Sequence, residues 1–174
     1  MKYIIEAASP ADIDCLAALV NSAYRGEYSK KGWTTEADLL PGELRTDAAS
    51  LANLLQKPGS TILKCTGENG KLAGTVYLDL QDRGCYLGML TVDPLLQNEG
   101  IGRLLLAAAE EHARFHQRKN VFMNVIDLRT ELIAWYNRRG YIATGEIKPF
   151  TPDLRFGEPV QPLQFVVLEK NLEI

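Results

Sequence analysis

Cysteine and histidine are both scarce in this chain of 174 residues: Cys15, Cys65 and Cys85 stand far apart with no Cys-x-x-Cys pair, and the only histidines are His112 and His116. An odd number of separated thiols excludes a disulfide framework, and soft ligands are too few for a zinc site, so no metal and a reducing, cytoplasmic setting are expected. The two histidines lie four apart in a helical pattern and read as a solvated helix end. Long apolar runs are also missing. None approaches the eighteen or so residues that span a bilayer, and "KYIIEAASPADID" meets acids after a few apolar residues, so neither a secretory leader nor a membrane partner is expected. Excess positive charge is lacking too. Nineteen Lys and Arg against 22 Asp and Glu, a net charge of −3, provide no overall field for nucleic acid.

What the chain does contain is apolar material, 46% of its residues, enough for one core and one domain over residues 1–174. No repeat, low-complexity tract or linker interrupts it. "KYIIEAA" reads as a strand, and Ser9-Pro10-Ala11-Asp12 as a helix start with cap, proline and acid in order. Ile13, Leu16, Ala17, Val20 and Tyr24 recur at helical spacing up to Gly26, and Thr46 or Asp47 caps a second helix that carries Leu51, Leu54 and Leu55. "STILKCT", "KLAGTVYLDL" and "CYLGMLTV", joined by "GENG" and "QDRG", predict an antiparallel three-strand meander. A long amphipathic helix follows, its apolar face predicted at Ile101, Leu104, Leu105, Ala108, His112 and Phe115, with Glu110 elsewhere on the wheel. Then come a strand "NVFMNVI", a helix "TELIAWYNRR" closed by Gly140, and strands "YIATGEI" and "LQFVVLEK". The expected class is α/β (α+β): a mixed sheet of six to seven strands with about four helices on its faces.

The chemistry concentrates in "LLQNEGIGRLLLAAAEEH", residues 95–112. A nucleoside-triphosphate loop needs Lys-Ser/Thr after its last glycine, and here Gly102 precedes Arg103-Leu104. A dinucleotide loop needs a third glycine, and here Leu105 stands in its place after a meander rather than a βαβ unit. Two readings survive. Either Gly100 and Gly102 make a tight strand-to-helix turn, or the free amides at a helix start, helped by the helix dipole, hold the pyrophosphate of another carrier.

Gln97-x-x-Gly100-x-Gly102, behind a strand ending Leu90-Thr91-Val92 and Pro94, resembles the acyl-CoA signature of the GNAT family of N-acetyltransferases. Tyr136, Gly140 and Tyr141 in "RTELIAWYNRRGYIATGEI" match the family's later motif, and the element order is similar as well. The resemblance implies the GNAT fold and transfer of acetyl from acetyl-CoA, as co-substrate, to an amine by direct attack in a ternary complex. It places the pantetheine arm along Leu90, Thr91 and Val92, where a bulge near Gly88 and Met89 lets two strands diverge. The pyrophosphate goes on the amides of Gln97, Asn98, Glu99, Gly100, Ile101, Gly102 and Arg103. The Arg103 side chain is either a phosphate contact or a solvated helix charge.

Tyr136 is the family-matched acid that protonates the leaving thiolate; packing against Leu132 and Ile133 is the alternative. Seven residues before it, where many members carry a cofactor-contacting asparagine, stands Arg129. The strand before the signature offers Tyr86 rather than the glutamate base of many members. Glu36, in "GWTTEADLL", is the leading base candidate, with Trp33, Thr34, Thr35 and Tyr86 toward the acceptor and Glu27, Arg45 and Asp47 as further polar candidates; a helix-cap role for Glu36 and a core plug for Trp33 are the competing assignments. Arg155 and Phe156 close the cleft or sit in a plain hairpin. The acceptor is a small-molecule or peptide amine, and many members pair their late strands, which makes a homodimer one assembly open to the chain. A catalytically silent acyl-CoA-binding module is the competing function.

Overall fold

The computed structural model describes residues 2–172. Strands β1 (Ile4–Ala7), β2 (Ser60–Thr66), β3 (Leu72–Leu80), β4 (Cys85–Val92), β5 (Asn120–Ile126), β6 (Ile142–Pro149) and β7 (Gln164–Asn171) form one sheet in the order β1-β2-β3-β4-β5-β7-β6. All neighbours are antiparallel except β4 and β5. Helices α1 (Ile13–Tyr24), α2 (Gly26–Ser29), α3 (Ala48–Gln56), α4 (Ile101–Phe115) and α5 (Thr130–Asn137) complete the mixed α/β fold. Among the described residues no helix is long and apolar enough to cross a membrane, and no group of three or more His, Cys, Asp or Glu side chains is placed to hold a metal ion.

The caps form as the sequence dictates. The Ser9 N–H donates to Asp12 Oδ2 at 2.8 Å ahead of α1, and Asp47 Oδ1 accepts from the Ser50 N–H at 2.8 Å to start α3. Alternation along β3 serves both faces of the sheet: Tyr77 packs with Leu16 of α1 and Leu51 of α3, whereas Val76 and Leu78 join Leu105 and Ala109 of α4. Each fully buried leucine stabilises the fold by about 1.5–3 kcal/mol.

Helix α4 is turned relative to its predicted face. Ile101 and Leu105 are buried as expected, but Leu106, Ala109 and Ala113 complete the buried stripe, while Leu104 is 45% and Phe115 82% exposed. Three consecutive leucines make two neighbouring phases nearly equal in apolar content, and close approach to the sheet favours the phase richer in alanine. Glu110 goes inside as a result. It is stabilised there by the Tyr141 hydroxyl at 3.0 Å and Lys170 Nζ at 2.9 Å. The helix end is less solvated than expected: His112 Nε2 is buried without a hydrogen-bond partner among the described residues, and burial, then His116, lowers the His112 pKa.

The sheet opens at one place. Strands β4 and β5 pair only at Cys85–Val121 and Tyr86–Phe122 and then diverge. Opposite β3, the register shifts between Thr75 and Tyr77, so that Met89 and Leu90 both face Val76, a bulge where it was expected. The positive φ, 49°, falls on Met89 itself rather than on Gly88.

Candidate active site

Two cavities meet at this opening. The first is the loop cavity, walled by the 97–103 loop, Val92 of β4, Trp135 of α5 and Arg139 just after that helix. Gly100, at φ 88°, turns the chain into α4, and a side chain at Gly102 would press on Trp135 at 3.3 Å. The first turn of α4 therefore directs its unpaired amides and positive dipole end into the cavity. The Arg139 guanidinium lies 3.8 Å from the Trp135 ring centroid, and its Nη1 donates to the Trp135 carbonyl at 2.8 Å. Burial lowers the Arg139 pKa, and the charges of Arg103 and Arg138 lower it further, as expected where positive charges gather.

Gln97 joins the loop to the early part of the chain. Its Oε1 accepts from the Trp33 N–H at 2.8 Å, and its Nε2 donates to Thr34 Oγ1 at 2.8 Å and to the Val92 carbonyl at 3.3 Å. The signature glutamine thus fixes the wall of the cavity.

The second is the arginine cavity, enclosed by the end of α1, residues 36–45, the diverging parts of β4 and β5, α5 and the late loop at 150–157. Glu36 is buried here under three guanidiniums. Its Oε1 lies 3.4 Å from Arg25 Nη2 and 3.6 Å from Arg45 Nε, and its Oε2 lies 3.3 Å from Arg129 Nη1. Arg25 also donates to the carbonyls of Leu44, at 2.9 Å, and of Phe156, binding three segments together. Arg129 donates to the Thr34 carbonyl. The late loop touches the early one through Gly157, where φ is 99° and an added Cβ would stand 2.3 Å from the Pro41 carbonyl oxygen.

Tyr24, Leu90, Leu132 and Tyr136 line both cavities and form their junction. The Tyr24 hydroxyl donates to the Leu90 carbonyl and steadies the bulged strand. Burial raises the Tyr136 phenol far above its ordinary value, with Tyr24 adding to the rise and Arg129 opposing it. Tyr136 is therefore a protonated donor at any ordinary pH.

Of the residues singled out from sequence, Leu90, Val92, Gln97, Asn98, Gly100, Ile101, Gly102 and Arg103 line the loop cavity. Glu99 and Thr91 do not. The Thr91 hydroxyl donates to the Met89 carbonyl at 2.9 Å, and Glu99 faces Tyr3 at 3.5 Å. Trp33 and Thr34, expected beside the acceptor, belong instead to the loop cavity, because Gln97 draws their segment over it. Thr35 lies outside both cavities, its hydroxyl shared with Ser29 and the Ala37 N–H. Tyr86 packs edge-on against Tyr77 and Phe122 rather than lining either cavity. Arg129, expected at the cofactor, lines the arginine cavity. Phe156 closes that cavity with Asp153, whereas Arg155 stands outside it, with Nη2 2.7 Å from Asp153. Sequence reasoning missed Tyr24, Arg25, Arg139 and Trp135 as site residues; only the helical spacing of Tyr24 gave any signal.

The model of the acetyltransferase (GNAT) family matches residues 18–141, which hold the whole lining of the loop cavity and all of the arginine cavity except its late wall. The chain belongs to the GNAT acetyltransferase family. The fold of this GNAT protein is similar to that of the ribosomal-protein-S18-alanine N-acetyltransferase of Escherichia coli, with a TM-score of 0.72 and 16% identity over 99% of this chain and 96% of that one. It is also similar to the PaiA N-acetyltransferase of Thermoplasma acidophilum in complex with coenzyme A, with a TM-score of 0.69 and 17% identity over 99% and 100% of the two chains. A Bacillus subtilis (strain 168) protein, YdhI, is 27% identical over 74 residues, which are 42% of this chain and 45% of that protein. The family uses acetyl-CoA, and the loop cavity, with free amides, a helix dipole and an arginine group, fits a pyrophosphate.

Proposed function

We propose that this GNAT protein transfers the acetyl group of acetyl-CoA to a small amine within a ternary complex, with acetyl-CoA in the loop cavity and the amine in the arginine cavity. The observation that carries this reading is that the two cavities share Tyr136 and Leu90 at their junction, so a thioester from one side meets a nucleophile from the other. Holding both reactants in attack geometry removes much of the entropic barrier. The pantetheine arm lies along the edge of β4 that β5 has left.

In the reaction the amine lone pair bonds to the thioester carbonyl carbon, and the C–S bond then breaks with its electron pair going to sulfur. The Tyr136 hydroxyl supplies the proton that sulfur takes up. Because a buried phenolate is costly, the tyrosine gives up its proton as charge develops on sulfur and regains one from the ammonium formed on the amine. Glu36 serves this chemistry by position rather than as a base. Both of its oxygens are occupied by arginines, which it holds in place around the acceptor.

Thermal melting with and without acetyl-CoA tests the donor, and thiol release across an amine panel tests transfer. Acetyl-CoA is expected to raise the melting temperature, and NAD and ATP to leave it unchanged. Absence of a shift at saturating acetyl-CoA removes the proposal, and a shift with no thiol release from any amine leaves an acyl-CoA-binding module in its place.

A further inference from the structure

The arginine cavity is more positive than an uncharged or cationic acceptor requires. Arg25, Arg45 and Arg129 surround the single carboxylate of Glu36, and Asp153 at the rim is already held by Arg155, through Nε at 3.1 and 3.2 Å and Nη2 at 2.7 Å. Arg25 and Arg129 also donate to backbone carbonyls, of Leu44 and Phe156 for the one and of Thr34 for the other. Arg45 differs. Only its Nε reaches Glu36, its side chain is 26% exposed, and its two Nη groups have no hydrogen bond to the described residues. Its guanidinium stacks on Tyr24 at 4.6 Å from the ring centroid, which fixes its plane at the junction of the cavities. Its charge is felt at both Tyr136 and Arg25: it opposes the burial that raises the Tyr136 pKa and adds to the burial that lowers that of Arg25.

A second unmet polar group belongs to a residue of the same lining. Asn124, which lines the cavity from β5, has a buried Oδ1 without a partner among the described residues. A planar, always-charged fork with free Nη donors matches an oxyanion in two-point fashion, and a free amide oxygen matches an N–H. Uncompensated positive charge in a partly dehydrated cavity is itself unfavourable, and an incoming anion relieves it.

We infer that the acceptor is a small amine that carries an oxyanion, of the free amino-acid class, with Arg45 holding the carboxylate. This inference rests on the proposed acetyl transfer and narrows its acceptor. Polyamines and aminoglycosides would bring further positive charge to three arginines and are excluded by it.

The test compares free α-amino acids and aminophosphonates with the matching carboxamides and with spermidine, by thiol release from acetyl-CoA on the intact protein. At least one free acid is expected to exceed its carboxamide about 100-fold in kcat/KM. Arg45→Met is expected to raise the KM for that acid by about the same factor with kcat much less affected, and Arg45→Lys, which keeps charge but loses the fork, to recover part of it. Retention of the acetyl-CoA melting shift shows that each variant is folded. Equal or better use of the carboxamide or spermidine overturns the inference while leaving acetyl transfer intact. So does an unmoved KM in Arg45→Met, or an acetyl-CoA shift without turnover of any free acid or phosphonate. Preference for aminophosphonates over amino acids keeps the oxyanion and replaces the carboxylate. Loss of the acetyl-CoA shift in the unmutated protein overturns the parent reading, and this one with it.

Discussion

The loop cavity and the arginine cavity share a wall and are built on opposite plans. The loop cavity relies on backbone: consecutive amides from Gln97 to Arg103, a left-handed Gly100 and the start of α4. The arginine cavity relies on side chains drawn from positions 25, 36, 45 and 129, none adjacent in the chain. A backbone cradle recognises what all its ligands share, a pyrophosphate. A side-chain cage is redrawn by single substitutions. In the proposed assignment the donor site is thus fixed by local chain geometry and the acceptor site by tertiary assembly, and the four junction residues are where the two plans must agree.

Breaking the junction should show the largest effect. Tyr136→Phe is expected to lower kcat by about 10²–10⁴-fold, with the acetyl-CoA melting shift kept; an unchanged kcat, where chemistry limits turnover, removes Tyr136 as the proton donor. Next comes the cage. Glu36→Ala leaves three guanidiniums without their carboxylate and is expected to cost about 3–5 kcal/mol in denaturant unfolding. A cost below about 1 kcal/mol, in the range of exposed ion pairs, means that the cage is solvated in the protein.

The backbone plan should yield less. Gln97→Ala removes hydrogen bonds to Trp33, Thr34 and Val92, worth about 1–3 kcal/mol together. The KM for acetyl-CoA is expected to rise by about tenfold, with acceptor KM little moved; a larger rise for the acceptor would show that the early segment belongs to the other cavity. The smallest effect lies outside both. Burial lowers the His112 pKa from the 6.5 of the free side chain, so the unfolded chain takes up a proton that the folded one refuses. His112 therefore favours folding above about pH 6.5 and loses that contribution as pH falls through its lower folded value. Melting curves between pH 5 and 7.5 should steepen in that sense and flatten in His112→Gln, with both cavities unaffected.

The same contrast governs what could be read from sequence. Gly100, Gly102 and the strand before them carry their meaning locally, because glycines that turn a strand into a helix and the free amides of that helix's first turn follow one another in the chain. The meander, the caps at Ser9 and Asp47 and the bulge beside Gly88 were legible for the same reason. Arg25, Arg45 and Arg129 carry no such local signature. Their meaning comes from Glu36, and only the folded chain brings Arg129 within 3.3 Å of it. Trp33 and Thr34 went to the unexpected cavity because a glutamine 63 positions from Thr34 holds them. The phase of α4 was ambiguous because Leu104, Leu105 and Leu106 serve either face, and packing against the sheet decided between them.

One contact bears on how the arginine cavity could be remodelled. At Gly157 the late loop rests on the Pro41 carbonyl with no room for a side chain. Replacements at 150–156 would reshape one wall of the arginine cavity, while the glycine itself pins that wall to the early segment. A variant made for a different acceptor would therefore keep Gly157 as its fixed pivot and change the residues before it.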